Sequence, residues 1–153
     1  MANFANPRKK FNFSVFIIPG VINPFLFQKV TTPDIEIEAD SHGDTNHDIK
    51  TAGRVSYGNI VCEKLMPSNS ADRYMWDWLE TCQSSILGGG TPPSVYKRTA
   101  EIVELAEDGL TPINRWVAYG VWPQKINGLD LNRAESGNTI ENFELSVDRL
   151  QKL

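Results

Sequence analysis

The sequence predicts an α+β chain, mainly β, most simply an antiparallel barrel or sandwich with one α-helix against a side or end. Three observations carry this. Apolar and polar residues alternate at period two in about seven short segments. Turn residues separate those segments. A single stretch near the middle switches to a helical period.

The first strand is expected over Phe11–Ile18, where Asn12 and Ser14 alternate with Phe11, Phe13 and Val15. Arg8, Lys9 and Lys10 before this apolar run imitate a signal peptide. The alternation, the interruption at Pro19 and Gly20, and the lack of a small-residue cleavage site favour a strand ending in a turn. Phe25–Val30 reads as the second strand. In the third, Ile35–Asp40, the residues Ile35, Ile37 and Ala39 face one way and Glu36, Glu38 and Asp40 the other. From Ser41 to Val55 the alternation stops, and a polar stretch with Gly43, Asn46 and Gly53 reads as a long loop. Loops of that length usually have a function.

Tyr57–Leu65 is the next expected strand. A helix is expected over residues 70–87, because Met75, Trp78, Leu79, Cys82 and Ile86 share one helical face. Asn69 or Ser70 would cap it, Asp72 suits its positive end, and Gly88-Gly89-Gly90 would stop it. Arg98–Ala106 and Ile113–Trp122, joined through Glu107, Asp108 and Gly109, read as a hairpin. The last strand is expected over Ile140–Leu150, with Phe143, Leu145 and Val147 on one face. No repeat or low-complexity segment interrupts the pattern.

Composition narrows the function. The chain has 153 residues, 41% hydrophobic and 22% charged, which is ordinary for one globular domain and excludes disordered, collagenous and small cysteine-rich classes. A net charge of -4 gives no chain-wide basic grip on nucleic acid. Cys62 and Cys82 are too few and too far apart for a disulfide scaffold or CxxC site and read as buried thiols. No stretch reaches bilayer-spanning length, so a cytoplasm-like compartment is expected.

The richest chemical segment is Asp34, Glu36, Glu38, Asp40, His42, Asp44, His47 and Asp48, whose side chains are ligand types for hard or borderline cations. The spacing matches neither an EF-hand nor a helical His pair, and a solvated strand face running into a polar loop explains it better. There is no nucleophile elbow and no phosphate-binding loop. Trp78 belongs to the helix core face, and Trp116 and Trp122 to a strand that buries them, which removes most of a base-stacking surface. Without a catalytic constellation, cofactor or metal set, the strand-rich pattern suits a self-assembling structural protein.

The order of several short motifs then points to a family. Asn12-Phe13-Ser14-Val15, Tyr57-Gly58-Asn59-Ile60, the helix with Tyr74, Asp77 and Trp78, the Trp122-Pro123 pair, Gly128-Leu129-Asp130-Leu131-Asn132 and Asn138-Thr139-Ile140-Glu141-Asn142-Phe143-Glu144-Leu145 occur in sequence. Together they resemble the T4-like phage tail tube protein family across nearly the whole chain. The resemblance implies two packed antiparallel sheets with a flanking helix, forming sixfold rings that stack into the inner tube of a contractile tail or related injection system. It makes Tyr57, Gly58, Asn59, Trp78, Trp122, Pro123 and Asn138 structural motif residues.

It also implies that the long loop meets neighbouring subunits, with Ser41, His42, Asp44, His47, Asp48, Lys50 and Arg54 as contact candidates. The arm from Met1 to Lys10 is a second contact candidate. Glu36, Glu38 and Asp40 are candidates for negative charge in the lumen, where carboxylates would repel passing phosphates. The implied partners are further copies of the chain, the tail sheath, the tape measure, and baseplate and terminator proteins. DNA would pass without specific binding, no membrane is involved, and the particle would assemble in the bacterial host cytoplasm. Alternatives are a baseplate or terminator ring of the same fold, a small metal- or ligand-binding β-barrel enzyme using residues 34–48 with His42 and His47 essential, and a nucleic-acid-binding barrel.

Overall fold

The computed structural model describes residues 9–18, 27–66, 73–84 and 86–153. Nine strands and two helices follow in the order β1 Phe13–Ile18, β2 Phe27–Thr31, β3 Ile35–Gly43, β4 Asp48–Tyr57, β5 Ile60–Leu65, α1 Tyr74–Cys82, α2 Pro93–Tyr96, β6 Arg98–Leu105, β7 Pro112–Ile126, β8 Ile140–Ser146 and β9 Arg149–Lys152 among the described residues. All strand pairs are antiparallel. Seven strands form one sheet in the order β1-β6-β7-β8-β5-β2, with β9 added alongside β7. Among the described residues the sheet does not close, and β1 and β2 stand at its two ends. The expected mainly-β antiparallel architecture is present as an open, folded-over sheet.

The fold-over is made by β7. Its first part pairs with β6 up to Val121, and its last part pairs with β8 from Trp122 onward. The strand thus belongs to both halves of the sheet. Inward residues from each half, among them Val15, Ile17 and Ile102 from one and Ile60, Phe143 and Leu145 from the other, form a single buried cluster. Phe27 meets Phe143 edge-on at 6.0 Å inside it.

Helix α1 closes one side of this core with Met75 and Trp78, both buried. The Trp78 indole N–H donates to the Tyr96 carbonyl at 2.7 Å, and the Arg98 guanidinium lies 4.7 Å from the Trp78 ring centre. Tyr96, at the end of α2, packs edge-on against Trp122 at 6.2 Å.

Four expectations need correction. The expected loop at residues 41–55 is mostly strand: β3 and β4 form a separate two-stranded ribbon joined by a short turn. Its alternation was invisible because neither face is buried, so no hydrophobic period marks it. The helix expected over 70–87 ends at Cys82, and Ile86 is 88% exposed. Its end is set by the returning chain, where Thr91 Oγ1 donates to the Thr81 carbonyl and Gly90 passes against the Cys82 carbonyl. The proposed caps at Asn69, Ser70 and Asp72 lie outside the described residues.

The single final strand over 140–150 is two strands, broken at Val147 and Asp148. There the chain moves along β7, from the part that pairs with β8 to the part that pairs with β6, and β9 takes the edge of β7 opposite β6. Gly120 has φ +66°, and a Cβ there would collide with the Asp148 carboxylate. Finally, α2 adds a short second helix that the sequence reading lacked.

Candidate functional site: a projecting arm and two open sheet edges

Among the described residues, the arm formed by β3 and β4 pairs only with itself. Its base is closed by the Gly58 N–H, which donates to the Asp34 carbonyl at 2.9 Å. Its tip is closed by Asp44, whose N–H donates to the His47 carbonyl at 2.8 Å and whose side chain accepts from Thr45 N–H. Between them the register shifts: Gly53 and Arg54 oppose the single residue Glu38, which makes a bulge in β4. Gly53 is required at that crossing, because a Cβ would lie 2.8 Å from Asp40 Oδ2 and 3.0 Å from the Glu38 carbonyl oxygen.

Directly paired residues share a face. Ile35 with Tyr57, Ile37 with Val55 and Ala39 with Ala52 therefore make an apolar stripe, while Glu36, Asp40 and His42 line the other face opposite Ser56, Thr51 and Ile49. Ile35, Ile37 and Val55 are 57%, 55% and 49% exposed. A stripe of branched apolar side chains left exposed on such a ribbon is the kind of surface that association covers.

Every contact candidate from the long loop falls on this arm, while residues 1–8 of the N-terminal candidate lie outside the described residues. Ser41 and His42 lie in the last part of β3, Asp44 and His47 sit in the turn, and Asp48, Lys50 and Arg54 lie on β4, all exposed. Glu36, Glu38 and Asp40 stand on β3, also exposed. The acidic-His segment is drawn out along the ribbon, and among the described residues no three His, Cys, Asp or Glu side chains gather into a metal-holding group.

The motif residues mostly serve the frame. Tyr57 ends β4, and Gly58 closes the arm's base. Asn59 Nδ2 donates to Gln124 Oε1 at 3.0 Å, tying that corner to β7. Trp78 and Pro123 are buried, Trp122 is half-buried, and Asn138 is exposed in the irregular segment before β8.

One pair escaped the sequence reading. Lys64 and Glu141 are cross-strand partners on β5 and β8, lie 3.6 Å apart, and are fully buried. The signal was there: Lys64 shares parity with Ile60 and Cys62, and Glu141 with Phe143 and Leu145, so both had to point inward. Burial also pushes the Cys62 thiol far above its usual range, which leaves it an inert core group.

The same open sheet with its helix occurs in solved structures of contractile injection systems. The anti-feeding prophage tube-terminating cap matches with a TM-score of 0.82 at 17% identity, covering 100% of this chain and 95% of that one. A chain of the PVC sheath-tube complex matches at 0.76 and 18% identity, over 96% and 91%, and a chain of the anti-feeding prophage baseplate at 0.66 and 19%, over 100% and 97%. At these identities the likeness establishes the fold alone. None of the curated proteins matches the chain. The family model of the T4-like virus tail tube protein gp19 matches residues 9–151, and the chain belongs to that family.

Proposed function

We propose that this chain is the building block of the inner tube of a contractile particle. Copies form sixfold rings, and the rings stack into a hollow conduit for DNA or a protein effector. The observation that carries the reading is the family match over residues 9–151, joined to a sheet that among the described residues ends in two one-sided strands. Unpaired strand edges invite strands from another copy, and a closed ring removes them. The exposed arm supplies a second contact. We assign Glu36, Glu38 and Asp40 to that contact rather than to the lumen, because they stand on the self-paired arm and not on the large sheet.

In such a particle the tube's outer surface meets the sheath, its lumen holds the tape measure before firing, and its ends meet baseplate and terminator proteins. Assembly takes place in the bacterial cytoplasm. The chain acts structurally and needs no cofactor. A terminator ring is the second reading, favoured by the higher TM-score to the tube-terminating cap than to the sheath-tube chain. Negative-stain electron microscopy of the purified protein over rising concentration separates the two. Hollow tubes of varied length support the tube reading, and rings that never lengthen support the terminator.

A further inference from the structure

We infer that the β3–β4 arm of one copy docks in a basic, aromatic cleft between β1 and β2 of another. This rests on the self-assembly reading and names the acceptor for the arm. The cleft lies at the mouth of the unclosed sheet and has a volume of about 1020 Å³. Phe11, Phe13, Phe27 and Trp116 line it, together with Lys9 and Lys10 ahead of β1 and Lys29 on β2. Among the described residues Glu104 is the only acidic one lining it, so they bring three ammonium groups to one carboxylate.

The arm has the opposite charge. Residues 34–57 hold six acidic side chains, Asp34, Glu36, Glu38, Asp40, Asp44 and Asp48, against the basic Lys50 and Arg54, which leaves -4. That equals the net charge of the whole chain, so the remaining residues are balanced. The chain's excess negative charge is concentrated on one projecting ribbon.

Shape agrees with charge. Strand spacing, rise and sheet thickness give a two-stranded ribbon three residues long a volume of roughly 1000 Å³, close to that of the cleft. The apolar stripe of Ile35, Ile37 and Val55 then meets the aromatic lining, and the carboxylates of Glu36, Glu38 and Asp40 reach the lysines. No arm residue lines the cleft of its own chain, so the occupant comes from a second copy. The contact is head-to-tail, and such contacts propagate or close into rings.

The test is a charge exchange in the full chain. The cleft variant Lys9→Glu/Lys10→Glu/Lys29→Glu and the arm variant Glu36→Lys/Glu38→Lys/Asp40→Lys each change exposed residues, and circular dichroism checks that both fold. Each is expected to raise the concentration needed for assembly by at least about tenfold, and the six-site variant is expected to recover most of it. Carbodiimide coupling of a mixture of ¹⁴N and ¹⁵N wild-type protein supplies a second readout, with mixed-isotope peptides joining Lys29 to Glu36 or Glu38 expected. Normal assembly of the cleft variant, no recovery in the six-site variant, or coupling confined to other sites overturns the cleft assignment alone. Neither assembly nor coupling at any concentration contradicts the self-assembly reading beneath it.

Discussion

The Lys64 ammonium lies 3.6 Å from the Glu141 carboxylate with both side chains shut off from solvent, on neighbouring strands of the core. Removing two charges from water costs several kcal/mol each, so their mutual attraction is what makes the burial tolerable. Each holds the other, and together they fix the register of β5 against β8.

Deleting one partner strands the other. Lys64→Met or Glu141→Leu alone is expected to lose about 3–5 kcal/mol, while the two together regain most of that. Urea unfolding followed by tryptophan fluorescence measures all three, and additive losses in the double variant would show that the pair is uncoupled.

The helix is clamped from one side by Arg98, which lies over Trp78 and Tyr74 and donates to the Tyr74 hydroxyl at 2.5 Å. Arg98→Ala is expected to cost about 1–2 kcal/mol and shift tryptophan emission to the red. Arg98→Lys should recover little, because the planar guanidinium both stacks and donates.

Gly120 allows the chain to cross at Asp148. Gly120→Ala adds a Cβ at φ +66° against that carboxylate, so a loss of about 1–3 kcal/mol is expected. At roughly 2–4 °C per kcal/mol for a chain of this size, a fall in Tm of several degrees should follow. An unchanged Tm would mean that the crossing relaxes freely.

The turn between β6 and β7 carries an acid-sensitive contact. Asp108 accepts from the Thr111 hydroxyl, then from the Thr111 and Leu110 amides, and these bonds lower its carboxyl from 3.8 to about 2. A lowered folded-state value means that the contribution is present above pH 4 and is lost as pH falls through 2. Exchange protection of the Leu110 and Thr111 amides should therefore drop across that window in the wild type, and Asp108→Asn should flatten the drop.

How much of this was legible in sequence depended on burial. The β6–β7 hairpin could be read because alternation met a turn signal at Glu107–Gly109, and α1 because Met75 and Trp78 share a buried face. The arm could be read only in part: Ile35–Asp40 alternates and reads as a strand, whereas residues 41–55 read as a loop because neither face of β4 is buried and no apolar period marks it. The helix end and the β8–β9 break are tertiary events, one set by Gly90 and Thr91 returning to the helix and the other by Asp148 crossing Gly120. The acidic residues from Asp34 to Asp48 stand out in the sequence as a run of charge, but their place along a projecting ribbon required the register with β4.

The central claim is that copies of this chain complete one another. Cryo-electron microscopy of the protein concentrated above its assembly threshold tests that most directly. The account predicts sixfold rings stacked into a hollow tube, with β1 and β2 paired across subunits and each arm seated on a neighbour. Compact monomers at every concentration, with both sheet edges and the arm left in solvent, would contradict it.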